Sequence, residues 1–283
     1  MSVQAVLMDG HPPVKGACPA ALDRAFHYGD GLFETIPVIH GNPLFWDAHL
    51  QRLQSGADIL HMTAPHPEQW QDDLQQLQKK MVGCERYVLK LVLSRGPGWG
   101  YGIPQHSSPS RTLFASDWPL RSADHWQPGI HTDICSVPLL TGAPYLQAKT
   151  LNRLNQIMAR AALPPVYAEG ILLDQQGFLR EGIMSNIFWV SAGRVHTPSL
   201  DNGGIAGIQR QAILNCLQEW GTPAVMGDYS AEFLDDADEI FFSNSLIGIW
   251  PVKLFQGRDL PGNRGAISAR ILAWQVEQGL RYC

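Results

Sequence analysis

The sequence predicts a mixed α/β protein of two domains, and three observations carry that prediction. The chain has 283 residues, enough for two domains at roughly 100–200 residues each. Short β-branched and aromatic runs alternate with amphipathic segments of helical period along its whole length. A polar, proline-containing stretch from Trp118 to Gly129 interrupts that alternation near the middle. These features set a smaller N-terminal α/β domain at 1–117, a linker at 118–129 and a larger C-terminal α/β domain at 130–283.

In chain order, Val3 to Met8 reads as a strand entering the Asp9-Gly10 turn. The segment from Asp23 to Ile36 carries Gly29-Asp30-Gly31 in an aromatic-rich context, where glycine gives backbone freedom, and then an apolar strand. Asn42 to Trp46 is a short strand. Asp47 can cap a helix running to Met62, with Leu50, Leu53, Ala57 and Leu60 on one side and Arg52 beside that stripe. A second helix, about 67–81, turns Trp70, Leu74, Leu77 and Met81 inward. Tyr87 to Leu93 is a strand opening into the glycine-rich loop Ser94-Arg95-Gly-Pro-Gly-Trp-Gly-Tyr-Gly102. That loop is either a plain surface turn or a binding loop in which the Arg95 fork holds a carboxylate. Arg111 to Ser116 is a further strand.

Beyond the linker, Ile130 to Val137 alternates as a strand, and the Thr141-Gly-Ala-Pro144 turn leads to Lys149. The apolar residues Leu151, Leu154, Ile157, Met158 and Ala161 follow at helical spacing. Gly170 to Asp174 and Phe178 to Glu181 form a hairpin around Gln175-Gln-Gly177, and Ser185 to Val190 continues the sheet. Glu181 therefore lies among strands, where a carboxylate needs a partner. Asn202 to Leu214 is a glycine-rich turn feeding a helix, whose backbone amides and dipole suit a phosphate. Asp238 to Ser243 is a buried strand ending at Asn244-Ser245, and a C-terminal helix spans about 265–279.

Composition excludes several classes of function. A net charge of −5 without a basic block gives no electrostatic footprint for nucleic acid, so an anionic substrate must meet individually placed arginines. No apolar run approaches the roughly 20 residues that span a bilayer, and residues 1–10 lack the zones of a signal peptide, so a cytoplasmic location is expected. Five dispersed cysteines, without a CxxC pair, read as reduced thiols. The ten histidines form no HxH or HxxxH pair, and no metal site is expected.

Chemistry is sought first at lysine, because the chain holds only six: Lys15, Lys79, Lys80, Lys90, Lys149 and Lys253. Lys79 and Lys80 lie on the polar side of a helix, Lys15 is in a turn, and Lys253 follows Pro251 at a strand end. Lys90, within a strand, remains a rival. Lys149, at the entrance to an amphipathic helix, is placed for partial desolvation, which lowers an amine's pKa and frees its lone pair for Schiff-base chemistry.

Five motifs in order resemble the fold-type IV pyridoxal-phosphate enzymes, the D-amino-acid-aminotransferase-like family that includes branched-chain aminotransferases and aminodeoxychorismate lyases. They are Tyr28-Gly-Asp-Gly-Leu-Phe-Glu34, His49-Leu-Gln-Arg52-Leu, Lys149-Thr-Leu-Asn-Arg-Leu-Asn155, Arg180-Glu181-Gly-Ile-Met-Ser-Asn186-Ile-Phe and Gly204-Ile-Ala-Gly207-Ile. The resemblance implies pyridoxal 5′-phosphate bound between the domains, with Lys149 as its Schiff-base lysine and Glu181 as the carboxylate paired with the pyridine nitrogen. It places Arg52 on the phosphate, together with backbone groups at Ile208 and Gln209. Ser245 stands where the family often has threonine, whereas Gln209 replaces a common threonine and loses its hydroxyl. It also implies a homodimer.

Within the family, Lys149 to Gln156, Leu89 to Gly96 and Asn186 to Trp189 are most similar to the lyase branch. That branch splits 4-amino-4-deoxychorismate into 4-aminobenzoate and pyruvate on the way to folate, with aminotransfer as the alternative. Arg95 and then Arg153 are the expected ligands of the two substrate carboxylates.

Overall fold

The computed structural model describes residues 2–13, 21–105, 108–278 and 280. Lys15, Cys18, Gly279 and Cys283 lie outside the described residues. The chain divides into two compact units, the first comprising Met1–Leu120 with Ala148–Asn152, the second Arg121–Gln147 with Arg153–Cys283.

The first unit is built on β1 (Val3–Met8), α1 (Arg24–Tyr28), β2 (Gly31–Ile39), β3 (Asn42–Pro43), α2 (Trp46–Ile59), α3 (Pro67–Gln78), β4 (Arg86–Ser94) and β5 (Ser110–Asp117). Its five strands form an antiparallel sheet in the order β1-β5-β4-β2-β3. Side chains alternate across a strand, so Leu32, Ile36, Leu89, Leu91, Leu93 and Leu113 share one face. They are buried in one core with Leu53 and Ala57 of α2 and Trp70, Leu74 and Leu77 of α3. The expected cap at Asp47 is displaced. Helix α2 begins two residues earlier, at Trp46 behind Phe45 in the left-handed region, and Asp47 instead places its charge in the first turn, where the helix dipole favours it.

The second unit contains β6 (Ile130–Ile134), α4 (Leu154–Ala162), β7 (Glu169–Leu173), β8 (Leu179–Gly182), β9 (Asn186–Ser191), β10 (Arg194–Pro198), α5 (Ile208–Glu219), β11 (Val225–Gly227), β12 (Glu239–Asn244), β13 (Gly248–Phe255), β14 (Arg258–Asp259) and α6 (Ala266–Glu277). Its sheet runs β11-β10-β9-β12-β13-β6-β7-β8, with β14 beside β13. The β10–β11, β13–β6 and β6–β7 pairs are parallel and the others antiparallel. Phe188, Val190, Phe241 and Ile249 pack against Ile213 and Leu217 of α5 and Ile271 of α6.

Three expectations are corrected here. The stretch 118–129 is not simply a linker: from Arg121 onward it belongs to the second unit, where Trp126 is buried and its indole N–H donates to the Ile247 carbonyl at 2.9 Å. Residues 148–152, expected in the C-terminal domain, belong to the first unit because they pair with β2. Helix α4 starts at Leu154, five residues after Lys149, and exposes Leu154, Ile157 and Met158 instead of packing them.

Candidate active site

In the first unit the lysine is positioned by a strand-like pairing and not by the helix behind it. The Phe33 amide donates to the Lys149 carbonyl at 3.0 Å, the Leu151 amide donates to the Gly31 carbonyl at 2.8 Å, and Thr150 bridges Leu32. The glycines of the Tyr28-Gly-Asp-Gly motif make room for this segment. Gly29, at φ 65°, ends α1, and a Cβ there would meet Asn152 at 3.2 Å. A Cβ on Gly31 would stand 2.5 Å from the Leu93 carbonyl oxygen and 2.8 Å from Leu151, closer than real side chains come.

The half-buried Lys149 lays its Nζ over the Phe33 ring, 4.4 Å from the centroid. An ammonium there is attracted by the ring's face, and the ring shields one side from water. Lys90, the rival, reaches the same ring at 5.3 Å but is exposed in the middle of β4.

Glu34 lies on the helix-facing side of β2 and is fully buried. One helical turn of α2 supplies its partners, because His49 and Arg52 are three residues apart and share a face. The Arg52 guanidinium forks onto the carboxylate, Nε to Oε1 at 2.8 Å and Nη2 to Oε2 at 2.5 Å. His49 Nδ1 lies 2.6 Å from Oε2 and must carry a proton to donate to an ionised carboxylate. Burial alone would push the Glu34 carboxyl up. The Arg52 charge and hydrogen bonds, with the His49 bond, outweigh it and hold the carboxyl at about 2. The His49 imidazole goes down from its ordinary value because burial disfavours its cation, despite the opposing pull of Glu34.

Arg95 does not meet the expectation of a substrate ligand. It is buried, donating Nε to Asp30 Oδ2 at 2.8 Å, Nη1 to the His61 carbonyl at 3.1 Å and Nη2 to the Leu60 carbonyl at 2.8 Å. It therefore ties the end of α2 to the Gly-Asp-Gly turn, where Arg24 Nε also donates to Asp30 at 2.8 Å.

In the second unit the expected cofactor residues are held by peptide groups. Glu181, on β8, is buried and accepts the Ile205 amide at Oε2, 2.8 Å away. The carbonyl of that same residue accepts from Asn186 Nδ2 at 2.8 Å, so one residue of the glycine-rich turn is gripped from both sides. Gly203 and Gly204 adopt φ of 143° and 94°, which L side chains resist, and a Cβ on Gly207 would fall 2.0 Å from Asn186 Oδ1. The turn delivers Ile208 and Gln209 as the first residues of α5, whose N-cap Gly207 offers no side chain of its own.

Ser245 lies in the β12–β13 turn. Asn244 shapes that turn, accepting the Leu246 and Ile247 amides at 2.9 and 3.0 Å and donating to the Met184 carbonyl at 3.0 Å. Arg153 is half-buried ahead of α4; burial lowers its pKa while the Glu181 charge opposes that shift.

The sequence places Glu34, His49 and Asn186 within motifs without assigning them a task, and the turn-shaping role of Asn244 has no signal in it. An ionisable residue inside the apolar run Leu32-Phe-Glu-Thr-Ile36, with a His-x-x-Arg pair on the next helix, is the signal that could have found the first two.

These groups suit a phosphorylated pyridine aldehyde. The chain offers an amine against an aromatic ring, an arginine fixed on a carboxylate, a glycine turn leading into a helix start, and a buried carboxylate. The fold and this donor set define a class: the chain belongs to the amino-transferase class IV family, whose model matches residues 31–255. It is 32% identical to an aminodeoxychorismate lyase from Vibrio harveyi over 86% of this chain and 88% of that one. A crystal structure of 4-amino-4-deoxychorismate lyase from Pseudomonas aeruginosa superposes with a TM-score of 0.90 at 33% identity, covering 98% of this chain and all of the other. A D-alanine aminotransferase from Listeria monocytogenes is 26% identical, over 92% of this chain and 91% of its own. No helix among the described residues is long and apolar enough to cross a membrane.

Proposed function

We propose that this protein is a pyridoxal 5′-phosphate-dependent lyase that converts 4-amino-4-deoxychorismate into 4-aminobenzoate and pyruvate, a step toward folate in the cytoplasm. The observation that carries the reading is the 33% identity to the Pseudomonas lyase across essentially the full length of both chains. The bound cofactor supplies an electron sink for the pair left on a carbon next to the substrate amine.

The chain's own residues do the rest. Lys149 Nζ would hold the cofactor aldehyde and, as a free amine, would take the proton from the amine-bearing carbon of the substrate. Glu181 would keep a proton on the pyridine nitrogen. Arg52, the backbone at Ile208 and Gln209, and Ser245 are the groups that would hold the phosphate. The enolpyruvyl oxygen would leave with its bonding electrons as the substrate ring becomes aromatic, and the released enolate would take a proton on its methylene carbon to give pyruvate. No amino group moves and no keto acid is consumed. Arg153 is the remaining candidate for a substrate carboxylate, since Arg95 spends its donors inside the fold.

We expect a homodimer, and the exposed Leu154, Ile157 and Met158 on α4 give one apolar surface for it. The deciding experiment incubates the cofactor-loaded protein with 4-amino-4-deoxychorismate in the absence of any keto acid. Equal amounts of 4-aminobenzoate and pyruvate are expected. Turnover that requires 2-oxoglutarate would assign the chain to aminotransfer, the reading that the similarity to the D-alanine aminotransferase favours.

A further inference from the structure

The Glu34–His49–Arg52 cluster exceeds what joining α2 to β2 requires. Apolar side chains can join a helix to a strand without taking a charged pair out of water, and burying ions carries a desolvation cost that their attraction must repay. The geometry shows what the charges accomplish. An arginine side chain has many rotamers, and a lone arginine must freeze that freedom when it grips an anion. Here the fork onto Glu34 fixes the guanidinium plane beforehand. Arg52 keeps about 15% of its side-chain surface exposed, whereas Glu34 keeps 1% and His49 none, so the arginine is the member of the cluster that faces outward. His49 donates to the oxygen that accepts Arg52 Nη2, which fixes the carboxylate plane in turn.

We infer that Glu34 and His49 are positioning residues that pre-set Arg52 to receive the phosphate of the cofactor. The inference rests on the proposed cofactor reading and deepens it. It assigns to a buried carboxylate and a buried imidazole control over one part of cofactor affinity, the part due to the phosphate.

The test compares pyridoxal 5′-phosphate with pyridoxal, which has the same ring and aldehyde but no phosphate. Dissociation constants for both are measured by absorbance on wild type, Arg52→Ala, Glu34→Gln, His49→Asn and the Glu34→Gln/Arg52→Ala double variant. Arg52→Ala sets the size of the phosphate contact. Glu34→Gln places an amide where the fork needs two acceptors. It is expected to weaken binding of the phosphorylated form about tenfold or more, the scale of one charge-assisted hydrogen bond, and to leave pyridoxal within about twofold. His49→Asn should move the same ratio by about threefold, and it decides the matter alone if Glu34→Gln does not fold. In the Arg52→Ala background, Glu34→Gln should change the ratio no further.

A purely structural role predicts equal weakening of both ligands, and that result would overturn the inference. So would an Arg52→Ala effect on the ratio that neither Glu34→Gln nor His49→Asn reproduces. A ratio unmoved by Arg52→Ala would instead overturn the placement of Arg52 on the phosphate, and the inference with it.

Discussion

The two compact units hold their buried carboxylates by different physics. In the first, side-chain charge does the holding: Glu34 is ionised in the interior because Arg52 and His49 surround it, and the arginine is fixed in return. In the second, the peptide does it: Glu181 accepts the amide of Ile205 while Asn186 donates to the carbonyl of the same residue. The contrast extends to Glu169 of the second unit, which is as buried as Glu34 but is met by the Gly170 and Ile183 amides and the Ser185 hydroxyl. Burial pushes the Glu169 carboxyl up, and those neutral donors only partly offset it. Burial alone thus does not decide whether an interior carboxyl is charged. A cation within hydrogen-bonding distance does.

The largest expected effect is at the proposed Schiff-base lysine. Lys149→Ala should lose the absorbance of the lysine-bound cofactor and lower turnover at least about a thousandfold, since Lys90, the other lysine on Phe33, is exposed. Retained absorbance with ordinary turnover would remove Lys149 from the chemistry.

Acid denaturation should separate Glu34 from Glu169. Glu34 has a folded-state pKa depressed from 4.5 to about 2, so its contribution is present above the unfolded value and is lost as pH falls from 4.5 through about 2. That contribution is on the order of 3 kcal/mol. Glu169 has a raised folded-state pKa, so its contribution runs oppositely, present at low pH and lost as pH rises through the folded value. Urea titrations from pH 5 to pH 2 should therefore show a flatter loss of stability in Glu34→Gln than in wild type. An unchanged slope would mean that Glu34 is not held ionised by its partners.

Glu181→Gln sharpens the peptide side of the comparison. A glutamine oxygen can still accept the Ile205 amide, so cofactor affinity should stay within about threefold, whereas losing the charge that stabilises a protonated pyridine should slow single-turnover formation of 4-aminobenzoate about thirtyfold. Weak cofactor retention with normal single turnover would make Glu181 structural only. The smallest effect belongs to Asn186→Ala, which deletes the donor to the Ile205 carbonyl and should weaken pyridoxal 5′-phosphate binding about tenfold by loosening the start of α5. Unaltered affinity would show that the glycine turn holds its shape without Asn186.

Local pattern made the elements of the first unit legible. The apolar stripes of α2 and α3 and the alternation in β4 and β5 are complete in the sequence, and the structure buries the residues those patterns select. The second unit was harder to read. β13 carries Pro251 opposite Phe241 inside a paired strand, and proline ordinarily argues against one. β10 is only five residues long and half polar. The stretch 121–129 has the composition of a linker, yet long-range contacts seat Trp126 against Ile247.

The same division runs through the site. Lys149, Arg52 and Glu181 are singled out by ordered motifs as candidates, but the pairing that places Lys149 against Phe33 joins segments far apart in the chain, and no local signal reports it. Arg95 was misread for a related reason. Its glycine-rich loop looks like a binding loop, while the carbonyls that take up its guanidinium belong to the end of another element.

The central claim is that this chain bonds its cofactor through the lysine laid on Phe33 beside β2. Borohydride reduction of the protein loaded with pyridoxal 5′-phosphate, followed by proteolysis and peptide mapping, tests it most directly. The account predicts a single pyridoxyl-lysine, in the peptide containing Lys149; the label on Lys90 would contradict it.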